Sequence, residues 1–221
     1  MTGRPDIPHE VKDLSVDAFL GQSQETLSRF GAKLTGYQIH SATVDSGVLR
    51  DERVLGAMTA LTDSGLLIGV STSGPAQSAT IREVLHLVDS GRVPFSFVQS
   101  TWNILEPSAT AALRDAAAAG LGVIVKEALA NGRLVKGSDV PRLVADLASK
   151  YEVGPDAVCL AAALASDFRP VVLLGPVTVG QLSENVRATS FELTTDELVE
   201  LTGLRQDATA YWAARSALPW T

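Results

Sequence analysis

Gly36-Tyr37-Gln38-Ile39-His40-Ser41-Ala42 is a short, largely apolar run that ends at a histidine and leads into a polar loop. The chain downstream repeats this unit, with an apolar strand, a polar loop and a helix in turn. In parallel α/β barrels, polar side chains at the strand ends gather at one rim, where the chemistry takes place. His40 is the first such rim residue, and the strands that would precede it in a complete barrel are expected to be missing.

Five strand-helix units follow one another along the chain, and their strict alternation indicates parallel strands joined by right-handed crossovers. A closed barrel of this kind needs eight strands and about 250 residues. We therefore predict an α/β fold that is an incomplete, truncated TIM-type (β/α) barrel with about five parallel strands, and a shorter open parallel sheet is the alternative. The strands are predicted at residues 34–40, 66–70, 95–99, 121–125 and 170–174.

The composition indicates one globular domain over residues 1–221, with an irregular lead-in at 1–13 and a C-terminal tail at 206–221. The net charge is −7 and no Lys/Arg run occurs, so no nucleic-acid or membrane-surface partner is expected. The first residues lack the apolar region of a signal peptide, and no apolar stretch approaches a membrane span, which predicts a cytoplasmic protein. Cys159 is expected to be a buried small residue, and no metal site is expected.

Several motifs occur in an order that resembles the later part of the aldo-keto reductases, over about residues 14–205. The resemblance implies a (β/α)8-type fold whose first three strand-helix units are missing here, and hydride transfer between a nicotinamide and a carbonyl. The motifs are Tyr37-Gln38-Ile39-His40-Ser41-Ala42, Ile68-Gly69-Val70-Ser71, Phe97-Val98-Gln99-Ser100-Thr101-Trp102-Asn103, Gly122-Val123-Ile124-Val125-Lys126, Leu134, and Leu174-Gly175 through Glu184-Asn185.

The resemblance also implies a catalytic group: a Tyr proton donor, a Lys and an Asp that tune it, and a His beside the substrate carbonyl. Only the His maps onto this sequence, at His40, and the other three are expected on the missing part. Losing a general acid removes a contribution of about 10²–10⁴-fold to the rate. Lys126 stands where the family often has an aromatic ring. With Glu127, it is a candidate acid-base or anion-binding group, unless the two pair with each other or with nearby loops.

By the same resemblance, two groups of residues would hold a nicotinamide cofactor. NADP or NAD is expected, although a basic residue often used for the 2′-phosphate is replaced by Gln181, which makes NADP doubtful. The alternatives are that residues 71–74 form a tight loop or helix cap, and that Thr178 only caps a helix. The candidates are Ser71, Thr72 and Gln99 for the carboxamide, and Gly175, Thr178, Gln181, Glu184 and Asn185 for the adenosine phosphate.

Three functions remain open at this point. The first is an aldo-keto reductase-like oxidoreductase, impaired or altered, that acts on a small carbonyl or alcohol substrate. The second is a truncated reductase scaffold repurposed for non-redox acid-base catalysis in a biosynthetic pathway, and the third is an inactive binding subunit. Because exposed sheet edges invite pairing, a homo-oligomer or a partner that completes the barrel is also expected.

Overall fold

The computed structural model describes residues 12–135 and 140–218. No helix among these residues is long and apolar enough to cross a membrane. The strands are β1 (Gly36–Ala42), β2 (Leu67–Thr72), β3 (Phe97–Thr101), β4 (Gly122–Lys126) and β5 (Val171–Val172). The α-helices are α1 (Val16–Phe30), α2 (Glu52–Thr62), α3 (Gln77–Asp89), α4 (Thr110–Ala118), α5 (Arg142–Lys150), α6 (Pro155–Leu164), α7 (Val179–Val186), α8 (Thr195–Thr202) and α9 (Ala208–Ser216).

The five strands form one sheet in the order β1-β2-β3-β4-β5, and every adjacent pair is parallel. Strand order therefore follows chain order, as in one arc of a barrel, because each crossover helix brings the chain back to the next position. Within the described residues β1 and β5 do not pair with each other, so the sheet is open. The predicted incomplete barrel with five parallel strands is confirmed.

The strands begin one or two residues later than the sequence predicts, and the first four run further into the polar segments. Ser71 pairs with Gln99, and Thr101 pairs with Lys126, as members of the sheet. The interpretation of residues 71–74 as a loop is therefore wrong for the first two of them. The strands continue through these polar residues, because pairing between parallel strands uses backbone N–H and C=O groups and does not depend on the side chain. β5, in contrast, keeps only Val171–Val172.

Alternate residues of the strands face the helices and form the core. Ile68, Val70, Val98 and Val125 are fully buried there. Tyr37 packs on a helix, because its ring meets Phe19 of α1 edge-on at 5.7 Å between centroids. Cys159 is also buried as expected, and burial raises the pKa of its thiol to about 12.

The predicted C-terminal tail contains a helix, α9, within its described residues. Asp207 caps α9 by accepting a hydrogen bond from the backbone N–H of Ala210. Tyr211 and Trp212 of α9 are buried, at 0% and 6% exposure, so this helix packs against the hydrophobic core. Residues 1–11 of the predicted lead-in lie outside the described residues. The division into a lead-in, one domain and a tail stays a prediction in its other parts.

Candidate active site

The face of the sheet that does not carry the helices is concave, and its lower part is covered by one ring. Phe97 lies over Gly69 so closely that a Cβ at residue 69 would overlap the ring. A Cβ at Gly36 would come within 3.3 Å of the same ring, and one at Gly122 would lie 3.5 Å from Cβ of Phe97. Three glycines, on β1, β2 and β4, thus make room for one aromatic side chain, which covers this end of the concave face as its floor.

Above this floor, two amides meet across the sheet. Gln38 on β1 reaches over β2 and donates from Nε2 to Oε1 of Gln99 on β3, at 3.2 Å. The other end of the Gln38 amide, Oε1, is buried and accepts no hydrogen bond from any described residue. A buried acceptor without a donor is unfavourable, so this site would gain from a ligand that brings an N–H group.

At the rim, the side chains of the strand ends converge from three strands. Lys126 of β4 donates from Nζ to Oγ of Ser71 on β2 at 3.3 Å, across the end of β3. His40 of β1 lies next along the rim, with its Nε2 3.3 Å from Oγ of Ser41. Lys12 donates to the backbone carbonyl of Ser41, which adds a second ammonium group at this end of the sheet.

Lys126 lies in an environment that disfavours its charged form. Burial lowers the pKa of Lys126 below its usual range. Glu127 opposes this shift, whereas the cationic groups of Arg215 and Lys12 add to it. The rim is therefore a place where a lysine loses its proton more readily than a lysine in water.

Glu127 is held in an ion pair with the last helix rather than with Lys126. Nε of Arg215 lies 2.9–3.0 Å from both carboxylate oxygens of Glu127, and these hydrogen bonds raise the pKa of Arg215. Thr101 also donates to Oε2 of Glu127, at 3.2 Å. Glu127 has a positive φ of 57°, so the chain turns away from β4 there and separates the carboxylate from the amine before it. Its role as an acid-base group stays a prediction.

Thr72 faces away from the candidate site. Its side chain is fully buried on the helix side of β2, where Oγ1 lies 3.0 Å from Oγ of Ser100 and 3.3 Å from the carbonyl of Gln99. Ser71 and Thr72 are neighbours in a strand and so point to opposite faces. Of these two hydroxyls, that of Ser71 is on the same face as Gln99, and the cofactor-binding role of Thr72 stays a prediction.

The segment from Gly175 to Asn185 surrounds the start of α7. Gly175 has φ of 72°, and a Cβ there would meet no atom within 4 Å, so the backbone is open to a close approach. Thr178 and Gln181 form a capping box, with Thr178 Oγ1 accepting from the Gln181 N–H at 3.1 Å. The predicted alternative, a helix cap at Thr178, is confirmed. The backbone N–H groups of residues 177 and 178 go to the Gln181 side chain.

Glu184 and Asn185 are also engaged within the chain. Glu184 accepts from the backbone N–H of Gly154 at 2.6 Å and pairs with Arg187, and these contacts lower its pKa. The Asn185 amide, oriented to satisfy its neighbours, donates to Oδ2 of Asp156 at 2.8 Å. A cleft beside these residues is lined by Leu129, Gly132, Val135, Asp156, Leu174, Gly175, Pro176, Val177, Gln181 and Asn185.

Sequence reasoning assigned no role to the buried polar residues that support the rim. Gln77 donates to the backbone of Thr101 at 2.9 Å and to Oε1 of Glu106 at 3.2 Å, and it accepts from Ser100. Asn103 donates to the hydroxyl of Tyr211, whose pKa burial raises to about 12. The chain carries no local signal for such contacts, since their partners lie far apart in sequence and meet only in the folded protein.

Five parallel strands in chain order, joined by crossover helices, define a protein of the β/α-barrel class. The family model described as Aldo/keto reductase family matches residues 9–206. The chain therefore belongs to the aldo-keto reductase family, and the resemblance seen in its motifs is confirmed. The family and the fold support an oxidoreductase-like function.

Solved structures agree with this assignment at the level of the fold. One match is a thermostable aldo-keto reductase in complex with the inhibitor epalrestat, with a TM-score of 0.70 and 23% identity. Another is an aldo-keto reductase from Bacillus halodurans in its holo form, with a TM-score of 0.67 and 19% identity. They are matched over 86% and 89% of this chain, which spans 67% and 70% of theirs. No curated protein sequence matches.

Proposed function

We propose that this chain carries the nicotinamide side of an aldo-keto reductase site, and that its chemistry is hydride exchange between NAD(P)H and a small carbonyl or alcohol. Aldo-keto reductases generally use NAD(P)H, and this cofactor supplies the hydride when bound. The observation that carries the proposal is the pair of amides on the concave face. Gln38 leaves a buried oxygen without a donor beside Gln99, and a carboxamide offers both a donor and an acceptor.

The residues present fit such a cofactor at two places. On the concave face, the Gln99 amide and the Ser71 hydroxyl lie in register on adjacent strands. At the other end, Gly175 lets a phosphate approach the backbone, next to the cleft in front of α7. Thr178 and Gln181 already form hydrogen bonds with each other in the capping box. We therefore expect them to position the start of α7 beside the cleft rather than to bind the cofactor directly.

His40 would act on the substrate side of the rim. Its exposed ring lies on the same strand face as Gln38, two residues further on, so a carbonyl above the amides would be within its reach. An imidazole can polarise a carbonyl oxygen by donating a hydrogen bond. We expect that His40 orients the substrate and that binding of the cofactor does not depend on it.

A titration with NADPH and NADH, followed by protein and nicotinamide fluorescence, tests the cofactor site. Saturable binding in the micromolar-to-millimolar range supports the proposal, and absence of binding up to about millimolar cofactor rejects it. Gln99→Leu should weaken binding, because it leaves the carboxamide and Gln38 without a partner. Gln24→Leu on the exposed side of α1 is the matched control and should bind like the wild type.

Reduction of simple aldehydes, measured as NAD(P)H consumption, then tests the reaction itself. Turnover that falls in His40→Ala while cofactor binding is kept supports the assigned role of His40. A chain that binds the cofactor without turnover would instead be the binding subunit that the sequence left open.

A second candidate function is non-redox acid-base catalysis at the same rim. The observation that favours it is Lys126, which combines a lowered pKa with a position beside Ser71 on the concave face. Product formed from a carbonyl compound without any nicotinamide would favour this function over the first.

A further inference from the structure

Lys126 differs from Lys33 and Lys150 in what surrounds its amine. Its Nζ is held by the neutral hydroxyl of Ser71, and within the described residues it makes no ion pair shorter than 4 Å. Lys150, in contrast, contacts the Glu197 carboxylate at 2.7 Å, which raises the pKa of Lys150. Lys33 is exposed to solvent at the end of the turn after α1.

Among the described residues, the carboxylate that acts on Lys126 is that of Glu127, and it is paired with another cation. Arg215 comes from α9 and forms a two-nitrogen contact with Glu127, in a pair whose side chains are only 22% and 13% exposed. Three charged groups among the described residues act on the amine: Glu127 just after β4, Arg215 on α9 and Lys12 before α1. Burial has the largest effect and favours the neutral amine; the Glu127 carboxylate opposes it, and the cationic groups of Arg215 and Lys12 add to it.

The sheet face beside Lys126 carries apolar side chains. Ile124 lies two residues before Lys126 on the same face of β4, and together with Val171, which is 63% exposed, it lines a cleft further toward the start of the strands. A small carbonyl compound with a short apolar chain fits this surface, because it would cover exposed aliphatic carbon while its polar end meets the amine.

We propose that Lys126 forms a covalent imine with a small aldehyde or ketone bound on the concave face. This activity goes beyond the hydride transfer proposed above and needs no nicotinamide. A neutral lysine amine in a partly buried site is an effective nucleophile toward carbonyl carbon.

The reaction balances without an oxidant or reductant. The nitrogen lone pair of Lys126 forms the C–N bond, and the electrons of the C=O π bond move to oxygen. A proton from the nitrogen passes to that oxygen through water and gives a neutral carbinolamine. Protonation of the hydroxyl, loss of water and release of the remaining N–H proton then leave the C=N bond, with one water formed per imine.

Trapping with a hydride reagent tests the proposal on the full chain. The protein is incubated with butanal and sodium cyanoborohydride without nicotinamide, and the reduced butyl adduct is located by peptide mass spectrometry. We expect labelling of Lys126 to exceed that of Lys33 by roughly tenfold, a difference of about 1.4 kcal/mol in activation free energy. Labelling of Lys126 no faster than that of Lys33 overturns the proposal.

Two lysine variants serve as matched controls. Lys126→Arg keeps the positive charge but cannot form an imine, and it should lose the adduct on that peptide. Lys33→Arg should leave labelling of Lys126 unchanged. The peptide map separates both from the α-amino group of Met1, which also reacts with aldehydes. If Lys126→Arg does not fold, the wild-type map alone decides, since it compares lysines within one molecule.

A third variant tests whether the surrounding charges set the reactivity. Arg215→Gln releases Glu127, whose carboxylate then stabilises the ammonium form of Lys126, so labelling at neutral pH should fall and recover at higher pH. Labelling that stays unchanged or rises in Arg215→Gln contradicts this account. Because no step uses NAD(P)H, failure here leaves cofactor binding untouched, and failure of cofactor binding leaves this test intact.

Discussion

The two faces of the sheet use the same five strands in opposite ways. The face toward the helices is closed, with residues such as Ile68 and Val98 fully buried and with polar groups such as Gln77 and Ser100 paired inside it. The concave face is open, with a glycine-framed Phe97 as its floor and with Leu67, at 54% exposure, in contact with solvent. Side chains on the helix face are packed inside the fold, whereas the concave face combines buried polar groups such as Ser71 with side chains such as Leu67 that remain in contact with solvent.

The two faces differ because successive side chains along a β-strand point to opposite sides of the sheet. Neighbouring residues on β2 have opposite surroundings, although they share the same backbone and the same neighbouring strands. Pairs of adjacent positions therefore compare the two faces within one element, with few other variables changed.

The largest effect is expected for the pair Ile68 and Leu67. Ile68→Ala should lower the free energy of unfolding by about 2–5 kcal/mol, because it leaves a cavity among the helices. Leu67→Ala should change it by no more than about 0.5 kcal/mol, because half of that side chain is already in water. Urea unfolding measures both. An equally large loss for Leu67→Ala would mean that the concave face is covered in solution, for example by a second copy of the chain.

A smaller effect is expected for the glycine floor. Gly69→Ala should destabilise the protein by about 1–3 kcal/mol, because the new methyl overlaps the Phe97 ring. Gly21→Ala in the middle of α1, where a Cβ meets nothing within 4 Å, should instead stabilise it by about 0.5–1 kcal/mol. Thermal unfolding gives the sign of each. The loss from Gly69→Ala should shrink in a Phe97→Leu background, and a loss of the same size there would show that the ring is not its cause.

The smallest effect is expected for the two hydroxyls at the end of β2. Thr72→Val removes hydrogen bonds on the helix side and should cost about 0.5–1.5 kcal/mol of stability. Ser71→Ala should cost less, since Lys126 can turn toward water, but it should weaken nicotinamide binding in the fluorescence titration. If Thr72→Val is the variant that weakens binding, the assignment of the two hydroxyls to opposite faces is wrong.

Much of the architecture could be predicted because it depends on local patterns. Apolar runs without alternation identify strands buried between neighbours, and strand-helix alternation limits the topology to parallel order. The strand ends were displaced, because Ser71 and Thr101 continue the sheet although their side chains are typical of loops. The motif resemblance singled out His40, Ser71, Gln99 and Lys126, and the register of the paired strands places Ser71, Gln99 and Lys126 on one face.

The contacts within the candidate site could not be predicted, since they join residues far apart in the chain. The ion pair between Glu127 and Arg215 spans 88 positions, and the Gln38–Gln99 hydrogen bond spans 61. The helical form of the C-terminal segment depends on burial of Tyr211 and Trp212, which its short sequence does not reveal.

The sequence by itself determined the family, the parallel order of the strands and the identity of the rim residues, because spacing and side-chain period are properties of the chain. Only the tertiary structure decided which of these residues are engaged. Arg215 takes the Glu127 carboxylate and leaves Lys126 beside a neutral hydroxyl, and Phe97 fills the space above three glycines. The physical reason is that charge pairing and packing depend on distance in space, which distant segments set only when they fold together.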